Sequence, residues 1–393
     1  MKQILLLTAC IIAVYGCSIK EEDGTLKKSK THKTIKFDLK QKPVSIHKTG
    51  LIKSMDIISL HCEDVFDRME KIIGYKNRIY IFDWEQTYSV YIFDTLGKHI
   101  NTISRHGQGP EEYAQISDID VDTVNSTLNI LSRMDKKLLK FDLDGKRCLG
   151  VERTAMAFTK MYKIKDGYLG YVANDIWDKE KPYNVWQLSE KQEVKASFFE
   201  IDKTWHSKSF PGYTVFSCFK DKIYYITPMD FNIYSIKDGK VFVEYTFDFG
   251  DYTWPPHLKE YKAPNETFEY RHSKVYGFDN FQETDKWLIT RFLHKGQYQI
   301  GIYDKIMDTA CVAHIVDSPD GEYFIISFGE IVGIDETTIY AKLDAQWVKD
   351  AWVGKNQYVD FCPKHGEQIE RLRKKFPVVS EEDNPYLLIY KIN

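Results

Sequence analysis

One internal repeat constrains this chain more than any other feature. A third and a fourth strand candidate, joined by a short polar turn, recur along it. Ser89–Asp94 precedes Thr95-Leu96-Gly97-Lys98 and then His99–Ser104. Lys137–Leu143 precedes Asp144-Gly145-Lys146 and then Arg147–Glu152. Equivalent pairs are Asn184–Leu188 with Val194–Glu200, Asn232–Ile236 with Val241–Phe247, and Gln299–Tyr303 with Thr309–Val316. The aromatic anchors Phe93, Phe141, Trp186 and Tyr234 lie 48, 45 and 48 residues apart. The next step, to Tyr303, is 69 and marks an insertion near 249–273. Two further strand candidates precede each pair, such as Lys71–Tyr75 with Ile79–Asp83 and Ile116–Val121 with Leu128–Leu131. Gly, Asn or Asp fills most turns, as tight turns require. Four short antiparallel strands repeating at this period are the signature of a propeller blade.

Composition agrees. Thirteen alanines stand against 26 tyrosines, 23 phenylalanines and 8 tryptophans. Alanine favours helix and aromatics favour strands, so a mainly helical chain is excluded. So many aromatics also exclude a disordered chain. One stretch, Gly366–Phe376, reads as a helix, with Ile369, Leu372 and Phe376 on one face. It belongs to a second insertion, near 346–385.

The sixth blade is split. Tyr323–Phe328 and Thr338–Leu343 supply two strands, and Tyr386–Ile392 supplies a third at the chain's end. Lys33–Leu39 is a strand without a blade. Pairing it into the sixth blade closes the ring and leaves no open edge. The expected fold is therefore an all-β, six-bladed propeller over 33–393, its last blade closed by the N-terminal strand. Two stacked β-sandwiches are the competing arrangement, but they explain neither the repeat nor the orphan strands.

The first residues carry an address. Met1-Lys2-Gln3 precedes an apolar run, Ile4–Tyr15, and then Gly16-Cys17. The run is too short for an ordinary transmembrane helix and fits a secretory signal over 1–16. Val14-Tyr15-Gly16-Cys17 looks like a bacterial lipobox, with Cys17 the lipidated residue. Residues 17–32 then form a polar tether, so a membrane partner through Cys17 is expected. The other cysteines, Cys62, Cys148, Cys218, Cys311 and Cys362, are odd in number and far apart. They indicate neither a zinc site nor a disulfide framework.

The segment His106-Gly107-Gln108-Gly109-Pro110-Glu111-Glu112-Tyr113 resembles a motif of the six-bladed β-propeller lipoproteins of Bacteroidota, relatives of NHL-type propellers. The ending Asp383–Tyr390 resembles that family's last strand. The resemblance implies the fold and an exported, outer-membrane location, on the periplasmic side or at the cell surface. It implies no established reaction. Read from the residues alone, the glycine segment is a loop shaping the first crossover. It is no dinucleotide fingerprint, since the third glycine and the following helix are missing.

Chemistry is harder to place. A formal charge of −3 argues against nucleic acid as a partner. No hydrolase elbow, zincin or P-loop motif is present. Asp118, Asp120 and Asp122 alternate and so share one strand face. Asp142-Leu143-Asp144-Gly145 resembles half a calcium loop, but the downstream ligands are missing and it reads as a hairpin turn. No metal and no cofactor is expected. Blade topology puts the loops joining second to third strands on one face, together with the crossovers. That face gathers Trp84, Glu85, Arg105, His106, Gln108, Arg133, Trp177, Asp230, His294 and Trp347. Tryptophans beside charged groups suit a stacking surface for a flat ligand such as a sugar. The expected function is a binding or interaction module for carbohydrate or an envelope protein. The alternatives are a channel hydrolase or lyase, for which Asp118, Asp120 and His294 are the candidates, and a structural subunit of an envelope complex.

Overall fold

The structure is a computed structural model. It describes residues 26–176, 182–201, 214–227, 230–254, 273–314, 330–346, 348–349, 374–380 and 382–393. Six sheets, each built on four antiparallel strands, are present among these residues. Blade 1 is Lys71–Tyr75, Arg78–Asp83, Ser89–Asp94 and His99–Ile103. Blade 2 is Asp118–Asp122, Thr127–Ser132, Lys137–Phe141 and Cys148–Arg153. Blade 3 is Lys160–Ile164, Gly167–Tyr171, Tyr183–Leu188 and Val194–Glu200. Blade 4 is Phe216–Phe219, Lys222–Thr227, Asp230–Lys237 and Lys240–Asp248. Blade 5 is Val275–Glu283, Trp287–His294, Gln297–Asp304 and Thr309–His314. Blade 6 is Glu330–Ile334, Thr338–Leu343, Tyr386–Ile392 and Ile52–Ser59. The molecule is thus an all-β, six-bladed propeller whose last blade takes its fourth strand from the N-terminal part of the chain.

The closing strand is not the expected one. Ile52–Ser59 pairs antiparallel with Tyr386–Ile392, Ser59 opposite Tyr386 and Ile52 opposite Ile392. Of the stretch read as Lys33–Leu39, the first four residues end a longer strand, Lys28–Lys36, and Phe37, Asp38 and Leu39 lie beyond it. This strand runs parallel to the outermost strand of blade 4, with Lys33 opposite Tyr245 and Lys36 opposite Asp248. Residues 28–32, read as tether, belong to this strand. A two-residue strand, Val44–Ser45, extends blade 5 in the same way. The reason lies in the apolar pattern. Ile52, Ile57 and Ile58 are buried, and they feed both faces of the sheet, as a strand between two blades requires. In Lys28–Lys36 only Ile35 is buried, which suits an outer edge. The sixth blade's first strand is Glu330–Ile334; the expected Tyr323–Phe328 lies outside the described residues. So does the signal with Cys17, and most of the expected helix Gly366–Phe376, of which Lys374 and Lys375 are helical.

Packing is built between blades. Six apolar clusters each join two neighbours around the ring. Blade 1 shows how. Ile79 and Ile81 pack toward blade 6, while Tyr80 and Phe82 pack toward blade 2. A strand buried on both faces must be apolar at consecutive positions, so the segments do not alternate. The repeat anchors Phe93, Phe141, Trp186, Tyr234 and Tyr303 are all buried.

The recurrent strand-end aspartates act at the turns. Asp94 Oδ1 accepts from the Leu96 and Lys98 amides at 2.9 Å, and Asp304 Oδ1 accepts from those of Ile306 and Met307 at 2.8 and 3.0 Å. Asp142 likewise accepts from the Lys146 and Arg147 amides at 2.8 and 3.3 Å. The half calcium loop is therefore a hairpin turn. Gly145 sits there at φ +68°, where a Cβ would meet Ile92 Cδ1 at 2.6 Å. Cys62, Cys148, Cys218 and Cys311 are free thiols; Cys362 is outside the described residues.

Candidate functional site at the channel mouth

The first strands of the blades line a central channel. Loops joining second to third strands, and the crossovers, form its upper face. Hairpins joining first to second and third to fourth strands form the lower face. A first strand has a partner on one side only, so its other edge must find hydrogen bonds elsewhere. Charged and polar side chains from neighbouring blades supply them. Asp118 Oδ2 accepts from the Met161 amide at 3.2 Å, and Asp120 Oδ2 accepts from the Lys163 amide at 2.9 Å. Two carboxylates two residues apart thus match two free amides two residues apart on blade 3. Lys71 Nζ of blade 1 donates to the Ile119 carbonyl of blade 2 at 2.7 Å. Gln282 Nε2 of blade 5 donates to the Cys218 carbonyl of blade 4 at 3.0 Å. Arg291 Nη1 of blade 5 donates to the Ile331 carbonyl of blade 6.

The aspartate triplet is therefore divided by job. Asp118 and Asp120 cap an edge, while Asp122 Oδ1 accepts from the Val124 and Asn125 amides at 2.9 Å and closes a turn. Among the described residues no three His, Cys, Asp or Glu side chains gather to hold a metal ion.

Charges concentrate at the upper end of the channel, on blades 6, 1, 2 and 3. Lys71 Nζ lies 3.0 Å and Lys160 Nζ 3.7 Å from Asp118 Oδ1. Lys342 bridges Asp67 at 2.9 Å and Asp344 at 2.8 Å. Arg68 pairs with Glu85 at 3.1 Å. Burial pushes the Asp120 carboxyl up to about 7, against the pull of Lys71 and of the Lys163 amide. Burial likewise pushes Glu70 up to about 7, although the Trp84 amide donates to it at 3.3 Å. Lys160 is held below its ordinary value by burial, which Asp118 opposes and Lys71 reinforces. The cavity behind Asp118 and Asp120 is about 10 Å³, room for one water and not for a sugar.

The described rim residues divide into four groups. Trp84 is 42% exposed. Its loop is held by the buried Asp83, which accepts from the amides of Glu85, Gln86 and Thr87 at 2.9 to 3.1 Å. Glu85 stands beside it in its pair with Arg68. Arg105, His106 and Gln108 belong to the first crossover. Arg105 pairs with Glu111 at 2.6 Å and lies over Phe141, His106 lies near Tyr88, and Gln108 is exposed. Arg133 and Asp175 pair across blades 2 and 3. Asp230 and His294 are committed or covered: Tyr234 and Asn232 donate to Asp230, and His294 is buried against Tyr252 at 5.2 Å. Trp177 and Trp347 lie outside the described residues. Sequence reasoning missed Glu70, Lys71 and Lys160, which stand at the starts of first strands; the topology it used for loops applied equally to those starts.

The glycine motif folds on itself. Glu112 Oε2 accepts from the Gly109 amide at 2.7 Å, and a Cβ at Gly107 would sit 2.1 Å from that oxygen. Tyr113 is fully buried, and its hydroxyl lies 3.0 Å from the Tyr88 carbonyl and 3.1 Å from the Ile103 carbonyl. Lys137 Nζ donates to the carbonyls of Gly109 and Glu112. These contacts shape the crossover from blade 1 to blade 2.

Solved structures share this architecture. BF0058 of Bacteroides fragilis NCTC 9343, a protein proposed to be exported, is 19% identical, with a TM-score of 0.71 over 92% of this chain and 100% of that one. A member of the duf4221 family from Bacteroides vulgatus ATCC 8482 is 8% identical, with a TM-score of 0.50 over 87% of this chain and 97% of that one. At these identities the likeness shows the fold alone. The comparison with curated proteins gives no match. Residues 32–391 match a domain of unknown function, DUF4934, and the chain belongs to that family.

Proposed function

We propose that this protein is an exported, lipid-anchored binding module of the cell envelope that takes carbohydrate on its upper rim. The observation that carries the reading is Trp84, exposed on a loop made rigid by Asp83 and flanked by the Arg68–Glu85 pair. A fixed indole face beside exposed hydrogen-bonding groups is the recognition chemistry of a sugar ring. The lipobox ending at Cys17 and a relative proposed to be exported support the address. Among the described residues no helix is long and apolar enough to cross a membrane. Among the described residues, Lys71, Asp118, Asp120, Gln282 and Arg291 already serve neighbouring strand edges, which favours binding over catalysis.

A second reading, a channel hydrolase or lyase, is favoured by one observation. Asp120 and Glu70 both hold protons near neutrality, the range of a general acid or base. One experiment separates the two. The mature protein is applied to a glycan array, and each glycan bound is assayed for turnover. Binding without turnover, weakened about tenfold or more by Trp84→Ala with an unchanged melting temperature, is expected. Binding that survives Trp84→Ala, or no binding at all, overturns the carbohydrate reading. Turnover abolished by Asp120→Asn establishes the enzyme.

A further inference from the structure

The strand Lys28–Lys36 fixes where the anchored end of the chain leaves the propeller. Its partner, Lys240–Asp248, starts at the lower hairpin and ends at the upper crossover. The two run parallel, so the chain reaches Lys28 from the lower side. Eight residues separate Cys17 from Leu26, a contour of about 30 Å at most. A lipid on Cys17 therefore keeps the outer edge of blade 4 within that distance of the bilayer.

What this edge presents is basic. From Leu26 to Phe37 there are five lysines and no acidic residue, and Glu21, Glu22, Asp23 and Asp38 flank this run, which stays net basic. Lys33 is neutralised by Asp308 at 2.7 Å. Lys27, Lys28, Lys30 and Lys36 are exposed and make no ion pair among the described residues. The Lys33–Asp308 contact brings the hairpin tip of blade 5 alongside, where Ile306 and Met307 are 72% and 69% exposed. Leu96 and Val124, 82% and 72% exposed, also stand on lower hairpins. Lysines beside exposed apolar tips match the boundary of a bilayer, whose headgroups take the ammoniums while the tips enter below them.

We propose that this edge, with Lys27, Lys28, Lys30 and Lys36, docks on a phosphate-bearing anionic bilayer and turns the upper rim away from it. A basic patch beside a lipid anchor adds an electrostatic hold on an anionic surface and orients the body on it. The orientation rests on lipidation at Cys17, as in the function proposed above; the lysine strand is testable apart from it. Lysines on an edge strand also block sheet-to-sheet association, and the experiment separates that role.

The mature chain with Cys17→Ser is sedimented at low salt with vesicles of phosphatidylcholine alone or with 30% phosphatidylglycerol, about a third anionic. Binding to the anionic vesicles only is expected. Replacing Lys27, Lys28, Lys30 and Lys36 by Gln weakens it about a hundredfold. The same change at Lys48, Lys53, Lys136 and Lys374, away from this edge, leaves it within about threefold. Equal losses in the two variants, or no preference for anionic vesicles, overturn the proposal. So does a four-lysine variant that self-associates on size exclusion yet binds vesicles as before, since the lysines then only guard the edge. Melting temperatures of both variants confirm that they fold. Because the assay uses neither lipid anchor nor glycan, its failure leaves the rim reading standing.

Discussion

Two charge clusters meet the same need in opposite surroundings. Between blades 5 and 6, Arg291 reaches across to the Ile331 carbonyl and is gripped by Asp279, with Nε to Oδ1 at 2.7 Å and Nη2 to Oδ2 at 2.6 Å. Both side chains are sealed, at 1% and 2% exposed. Between blades 1, 2 and 3, Lys71 and Lys160 share Asp118 at the mouth of the channel, with 13% and 15% exposed. Each cluster caps the free edge of a first strand. A bidentate guanidinium–carboxylate pair suits the dry site, because its geometry satisfies most of its donors without water. Ammonium groups serve the less sealed one, where Lys71 divides its donors between Asp118 and the Ile119 carbonyl. The contrast shows which charges lie nearer solvent: the two ammoniums do, at 13% and 15% exposed, while Asp118 is as sealed as the pair in blade 5.

The sharpest way to break this contrast is to remove the arginine. Arg291→Ala leaves Asp279 buried without its counter-charge and leaves the Ile331 carbonyl without a donor. A loss of about 3–5 kcal/mol is expected, read from the shift in denaturation midpoint. Replacing both partners, Arg291→Met with Asp279→Leu, restores most of it, because no lone charge stays buried. A single variant as stable as the parent means that water already reaches the pair, and the distinction between sealed and open clusters fails.

How much of this was legible beforehand follows from where the information is local. The anchors Phe93, Phe141, Trp186 and Tyr234 repeat because each blade needs the same buried third strand, and a repeat is visible without a fold. The closing strand was misplaced because closure is a non-local choice. Both Lys28–Lys36 and Ile52–Ser59 form strands, and only the face count distinguishes them: Ile52, Ile57 and Ile58 serve two neighbouring blades, while Ile35 serves one side. The aspartate triplet was correctly placed on one strand. Its purpose was not legible, since the amides of Met161 and Lys163 lie about 40 residues downstream and become neighbours only when blades 2 and 3 pack. Trp84 was legible as a rim residue because loop position follows from strand parity alone.

A smaller effect sharpens the same contrast at the open cluster. Lys71→Met removes a donor to Asp118 and to the Ile119 carbonyl, yet Lys160 remains 3.7 Å from the carboxylate. Water enters from the channel to solvate what is left. The expected cost is about 1–2 kcal/mol, well below that of Arg291→Ala in the same denaturation assay. Equal losses at the two sites mean that the channel mouth is as dry as the interface between blades 5 and 6.

The smallest effect concerns protons. Asp120 is raised to about 7, first by burial. Its folded-state affinity for a proton exceeds that of the unfolded chain, so between about pH 4 and pH 7 the native state binds more protons. Stability contributed by the protonated carboxyl is complete below about pH 4 and is lost as pH rises through 7. Asp120→Asn keeps an acceptor for the Lys163 amide and abolishes the titration. Its stability from pH 4 to pH 8 is expected to decline less than the parent's, with a gain of about 1 kcal/mol at pH 8. The magnitude stays small because Lys71 and the Lys163 amide favour the ionised form. In the sealed cluster the same substitution acts on geometry alone, since Asp279→Asn would break the bidentate pair with Arg291. Parallel stability curves for the parent and Asp120→Asn across this range would place Asp120 in open water and remove the difference in solvation on which the comparison of the two clusters stands.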